Sequence, residues 1–296
     1  MALNPETYTQ LADYTAQKIA GSYQSWTDFL TTAARLYKYP YHEQLMIYAQ
    51  RPEATACADY ELWNKRMGRY VRRGAKGIAL IDHSGDTPKL KYVFDVADTR
   101  TTERSRSPYL WEFRPEHEQV VSDSLELQYD IRYPGSFSDL LEQISSVKVA
   151  EYFLVHEQDL LDIVDGSYLE QYHDYDKGVA FLNAATVSTT YMLLSRCGLA
   201  ENAHFAPEDF MPVFDFNTPQ TVDALGKAER WLFIIPGRYA ICRNTSWVGG
   251  CSTGTPWRTE ASFRVLSAQR SCGRISGQAW REEQNGGFGR SSTWQG

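Results

Sequence analysis

The chain has 296 residues, 43% of them hydrophobic and 14% aromatic, with a mean hydropathy of −0.47. That composition excludes wholesale intrinsic disorder and predicts a globular protein of about two domains. The net charge of −7 argues against a protein that coats nucleic acid with its whole surface.

Three helices are predicted in the first 50 residues. Tyr8, Leu11, Ala12, Thr15 and Ile19 recur at helical spacing, with Gly21 as the expected stop. Ser25 with Asp28 resembles a capping pair ahead of the stripe Trp26, Phe29, Leu30, Ala33 and Tyr37. A third stripe, Tyr41, Leu45, Tyr48 and Ala49, stops before Pro52. All three read as core.

A small sheet is expected next. Residues 78–81 form a continuous apolar run, and residues 89–96 alternate. The alternation puts Leu90, Tyr92, Phe94 and Val96 on one side and Lys89, Lys91 and Asp95 on the other. Val71 and its neighbours are the candidate third strand. Helices return with Phe137, Leu140, Leu141, Ile144 and Val147 behind Ser136 as a cap, then over 149–164 and 178–197, the last closed by Gly198. The stretch 178–195 carries no charge but too many hydroxyl and amide groups for a bilayer span. The expected fold is α+β, helix-rich, with one small mainly antiparallel sheet and a low-order basic tail.

The tail is set off by composition. Residues 1–229 carry 21 basic and 34 acidic side chains, whereas residues 230–296 carry nine Arg, three Glu and no Lys, Asp or His. That break predicts a boundary, giving segments 1–114, 115–225 and 226–296, with only 231–235 of the last able to pack as a short strand. Five cysteines without a CxxC pair, and no signal-like N-terminus, fit reduced thiols in the cytoplasm. No membrane partner is expected.

Catalytic motifs are few. Five residues separate Gly68 from Gly74, and Ala75 precedes Lys76, so the phosphate-loop spacing is not met. His42-Glu43 and His156-Glu157 lack a second His one turn on, so neither makes a metallopeptidase zinc face. Asp95 and Asp98 can meet at a strand end, the one arrangement open to a metal-dependent nuclease. The chain therefore reads as a non-enzyme without cofactor or metal.

Residues 62–81 are the informative segment. They hold Lys65, Arg66, Arg69, Arg72, Arg73 and Lys76 and no acid, with Tyr60, Trp63 and Tyr70 interleaved. Single-stranded nucleic acid is bound by cationic grooves with aromatic faces that stack bases. Residues 115–176 are the opposite, with 15 acids against Arg132 and Lys148. A solvated helical surface accounts for them; a DNA-like decoy that occupies a nuclease through acids such as Glu151, Asp159 and Asp162 is the sharper alternative.

Pro40-Tyr41-His42-Glu43-Gln44-Leu45-Met46-Ile47-Tyr48-Ala49-Gln50, then Trp63, then Gly68-Arg69-Tyr70-Val71-Arg72-Arg73-Gly74-Ala75-Lys76-Gly77-Ile78, resemble the N-terminal domain of ArdC-type antirestriction proteins. Tyr92-Val93-Phe94-Asp95-Val96-Ala97-Asp98-Thr99 is similar to that domain's next strand. Arg114-Pro115-Glu116-His117-Glu118 and Met211-Pro212-Val213-Phe214-Asp215-Phe216 resemble its continuation in very large proteins of Gram-positive conjugative elements. The resemblance covers residues 5–225 and implies a non-catalytic α+β domain that binds single-stranded DNA when DNA enters a new host. The family's metallopeptidase-like domain is not carried over, since the chain has no HExxH motif. The expected role is a mobile-element-encoded anti-defence protein; the rival is an inhibitor that binds a restriction or CRISPR nuclease directly.

Overall fold

The structure is a computed structural model and describes residues 4–85, 87–108, 110, 112–132, 135–201, 203 and 205–231. Helix α1 (Pro5–Ile19) starts where Asn4 Oδ1 accepts from Thr7 N at 2.9 Å, with Pro5 in its first turn. Helix α2 (Tyr23–Arg35) is capped by Ser22, whose hydroxyl accepts from Ser25 N. The cap therefore lies one turn earlier than the expected Ser25–Asp28 pair, and Asp28 instead accepts from Gln24 Nε2. Helix α3 (Tyr41–Gln50) follows. The sheet is antiparallel, with β1 (Cys57–Asp59) and β3 (Ile78–Asp82) flanking β4 (Lys89–Asp95).

Val71 does not join that sheet. Strand β2 (Tyr70–Val71) pairs with β5 (Thr99–Arg100) in a separate two-stranded ribbon, and β1 takes the third place in the sheet. The two sides of β4 alternate as expected, and the covered one is the side that carries Val93 and Asp95. Val93 and Asp95 are buried while Tyr92 is 49% exposed, because the side bearing Val93 packs with Ile78 and Leu80 against Met46 and Ile47 of α3. Lys91, on that same side, reaches the buried Glu43 of α3 at 2.6 Å. Gln50 closes the β3 edge by exchanging hydrogen bonds with the main chain of Ala79, donating to its carbonyl at 2.8 Å and accepting from its amide at 2.9 Å.

Beyond the sheet come α4 (Glu118–Tyr129), α5 (Phe137–Asp162), α6 (Asp174–Cys197) and α7 (Pro219–Trp231). Helix α5 is one unbroken rod, where the sequence pattern suggested two helices. Ser136 and Asp139 cap each other reciprocally at its start. Gly198, at φ 71°, ends α6 in the left-handed conformation that favours glycine.

The main hydrophobic cluster joins Trp26, Phe29 and Leu30 of α2 to Tyr152 of α5, Phe181 and Met192 of α6, and Val222, Leu225 and Ala228 of α7. Inside it, Trp26 Nε1 donates to Ser188 Oγ at 2.8 Å. The division expected at 114/115 thus does not separate two cores; α5–α7 complete the core begun by α1–α3. The boundary expected at 225/226 also moves. Helix α7 runs on to Trp231 with Ala228 and Glu229 buried, because Val222, Leu225 and Ala228 continue one helical stripe. Of the strand expected at 231–235, Trp231 closes α7; the remainder, and the expected low-order tail, lie outside the described residues. Among the described residues no helix is long and apolar enough to cross a membrane.

Candidate nucleic-acid interface

The cationic segment begins on a single π-helical turn, Leu62–Arg66, that Asp59 Oδ1 holds by accepting from Leu62 N at 2.7 Å. The turn points Trp63 inward. Trp63 is 2% exposed and its Nε1 donates to Phe94 O at 2.8 Å, so it anchors the segment to β4. It is not a surface for stacking bases, which corrects the role expected for it. Arg69 is a second correction. Its Nε donates to Thr99 Oγ1 at 2.8 Å and its guanidinium lies 6.0 Å from the centre of the Trp63 ring. Arg69 is half-buried and ties the segment to β5.

Side chains alternate across a strand, so Arg69 and Val71 turn inward where Tyr70 and Arg72 turn outward. Tyr70 is 42% exposed, and Arg66, Arg72, Arg73 and Lys76 are exposed without an ion pair among the described residues. Lys65 is exposed too, but paired with Glu61 at 2.6 Å, a surface pair worth little. Tyr60 is 54% exposed one residue before it. The chain turns at Gly74, which takes φ 86°, a conformation strained for any other residue.

The structure adds a second group of cations that sequence reasoning missed. Residues 99–106 run beside 67–72 in the opposite direction. Tyr70 is opposite Arg100, Arg72 N donates to Asp98 O at 2.8 Å, Ser105 Oγ donates to Gly68 O at 2.5 Å, and Arg106 N donates to Met67 O at 2.8 Å. Arg100, Arg104 and Arg106 are exposed on this return path, and Arg100 sits 5.9 Å from the centre of the Tyr70 ring. The signal was present as three Arg against Glu103 within seven residues, but only the ribbon's register places them beside the first segment.

The metal arrangement offered by Asp95 and Asp98 is not built. Asp95 is buried and accepts from Thr55 N at 2.7 Å, Ala56 N at 3.0 Å and Ala97 N at 2.9 Å. Asp98 is held by Arg51. Both carboxylates are bound up in shaping the loops around β4, and no cluster of three metal-ligating side chains occurs among the described residues. Beside Asp95, the Cys57 thiol is pushed up to about 12 by burial, with Asp95 adding to it, which favours the protonated thiol at neutral pH.

The acidic residues singled out above lie on α5. Glu151 is paired with Lys148, Asp159 Oδ2 with His156 Nδ1 at 3.1 Å, and Asp162 accepts from Gln158 Nε2 at 3.0 Å. Each partner is three or four residues away on the same helix. No family model, curated protein or solved structure matches the chain. The likeness to ArdC-type domains therefore stands on the motifs quoted for it.

Proposed function

We propose that this protein binds single-stranded DNA without catalysing a reaction, and that it serves as an anti-defence factor of a mobile element in the cytoplasm. The observation that carries the reading is the row Arg66, Tyr70, Arg72, Arg73 and Lys76. Its cations are exposed, without an ion pair among the described residues, and carried on the π-helical turn, strand β2 and the loop after it, a segment anchored by Trp63 and Arg69. Unpaired guanidinium groups attract phosphates, and an exposed Tyr among them offers a stacking face. The direct inhibitor of a restriction or CRISPR nuclease gains less support, since Glu151, Asp159 and Asp162 already have partners on their own helix.

The test is anisotropy of a labelled 20-nucleotide single strand across salt concentrations. Four phosphate contacts at about −0.7 each give a log–log slope of roughly −3 or steeper. Charge reversal of Arg72, Arg73 and Lys76 together should abolish binding and leave the circular dichroism unchanged. Salt-insensitive binding, or full affinity in that variant, overturns the reading. Protection of incoming DNA in cells that survives this variant but is lost on neutralising Glu151, Asp159 and Asp162 establishes the inhibitor instead.

A further inference from the structure

We infer that the strand-binding surface has a second wall, made by Arg100, Arg104 and Arg106, and that a bound single strand contacts it as well as the first wall of Arg66, Arg72, Arg73 and Lys76. The inference rests on the strand-binding reading above and extends it to Arg100, Arg104 and Arg106, which none of the motifs quoted from the sequence includes.

Backbone geometry makes the case. The two segments are antiparallel neighbours joined at five places, by the Tyr70–Arg100 and Val71–Thr99 pairs, the Arg72–Asp98 bond, the Gly68–Ser105 bond and the Met67–Arg106 bond. Residues directly opposite in an antiparallel pair share a face. Tyr70 and Arg100 therefore point the same way, and the guanidinium is found over the ring. On the inner face, Thr99 is buried and accepts from Arg69, so the return path is pinned from beneath and its charges are directed out.

The local charge balance is one-sided. Residues 60–77 and 99–108 contain two carboxylates, Glu61 and Glu103, and Glu61 is already paired with Lys65. Arg100, Arg104 and Arg106 have no ion pair among the described residues. Gly68, at φ 61°, lets the two paths approach: a Cβ there would lie 3.4 Å from Arg104 O and 3.6 Å from Ser105 Cα. The approach brings the Arg104 backbone against Gly68, two residues after Arg66.

With both walls engaged, seven phosphate contacts give a salt slope of about −5, against about −3 for the first wall alone. The deciding experiment measures that slope on the full chain with a labelled single-stranded 20-mer of thymidine. The comparison is the variant Arg100→Gln, Arg104→Gln, Arg106→Gln. The bonds from Ser105 Oγ to Gly68 O and from Arg106 N to Met67 O are untouched by these changes, and an unchanged melting curve verifies the fold. The expected result is a fall in slope from about −5 to about −3, with affinity about 100-fold lower at 0.1 M salt, since each lost contact costs about ten to the power 0.7. A slope near −3 in the parent that the variant leaves unchanged overturns the second wall while the first stands. No binding by the parent overturns both.

Discussion

On α5 and α6 several charged groups lean on their own helices, whereas along the β2–β5 ribbon the guanidinium groups of Arg72 and Arg100 are left to solvent. Lys148–Glu151, His156–Asp159 and Lys177–Asp174 are all spaced three residues apart, the distance at which helical side chains meet. A ribbon of two-residue strands has no such neighbours to offer, so Arg72, Arg73 and Arg100 remain unpaired. A high count of like charges therefore says little by itself. What matters is whether the backbone supplies a partner within reach. Glu151, Asp159 and Asp162 find partners on their own helix, and Arg72, Arg73 and Arg100 have no ion pair among the described residues.

The sharpest way to test that contrast is to separate the ribbon's anchor from its outer face. Trp63→Ala removes a fully packed indole and leaves Phe94 O without its donor, at a cost of about 3–5 kcal/mol. The urea midpoint should drop sharply, and binding should be lost along with the fold. Tyr70→Ala, next to the segment's other internal anchor, Arg69, removes an exposed ring. It should leave the urea midpoint nearly unchanged while weakening single-strand binding by about 1–3 kcal/mol, the value of one stacked base. Equal effects of the two variants on stability would break the distinction between anchor and contact.

Asp95 comes next in expected size. Replacing it with Ala strips three backbone amides, Thr55, Ala56 and Ala97, of a charged acceptor. Hydrogen bonds to charged groups contribute about 1.5–3 kcal/mol each, not additively, so a loss of about 3 kcal/mol is expected in chemical unfolding. Divalent cations should not alter the melting temperature of the parent. Metal-dependent stabilisation abolished by Asp95→Asn would return the nuclease assignment to contention.

Much of this fold was legible. The apolar stripes of α1, α2 and α3, the β3–β4 alternation and the Gly198 stop of α6 are local signals, and locally they were read correctly. The errors arose where tertiary partners decide. Ser22 and Ser25 are equally good caps by sequence, and packing selects the first. Which side of β4 is covered is decided by α3, which packs on Val93 and pairs its buried Glu43 with Lys91, leaving Tyr92 outside. In the basic segment, Trp63 and Tyr70 look alike as aromatic residues among cations. Only the π-helical turn and the strand alternation send one inward and the other out. The composition break at residue 230 masked the α7 stripe that crosses the expected boundary.

That stripe makes a pH-dependent prediction for the helical region. Glu229 is buried on α7, its Oε1 has no hydrogen-bond partner among the described residues, and burial holds its carboxyl well above the usual range. The folded chain therefore keeps a proton that the unfolded chain releases above the ordinary carboxylate pKa. The stabilisation is complete below that pKa and is lost as pH rises through the folded value. Glu229→Gln mimics the protonated form, so it should match the parent at pH 4 and show a higher urea midpoint at pH 8. A parent whose stability rises between those pH values would mean that Glu229 gains a charged partner on folding.

The smallest effect is expected on the acidic face, and it tests the other half of the contrast. Neutralising Glu151, Asp159 and Asp162 to Gln, Asn and Asn removes charges whose partners lie on the same helix. Helical side-chain pairs of this spacing contribute about 0.2–0.5 kcal/mol each, so the triple variant should lose little more than about 1 kcal/mol. Two terms reduce even that. The region carries an excess of acid, so neutralisation relieves repulsion, and the amide replacements retain hydrogen-bonding capacity toward Lys148 and Gln158. Single-strand affinity should stay the same or rise slightly as long-range repulsion falls, and that gain should vanish at high salt. A destabilisation of several kcal/mol would show that these carboxylates hold the helices together, and the contrast between a self-satisfied acidic face and an unsatisfied basic ribbon would fail.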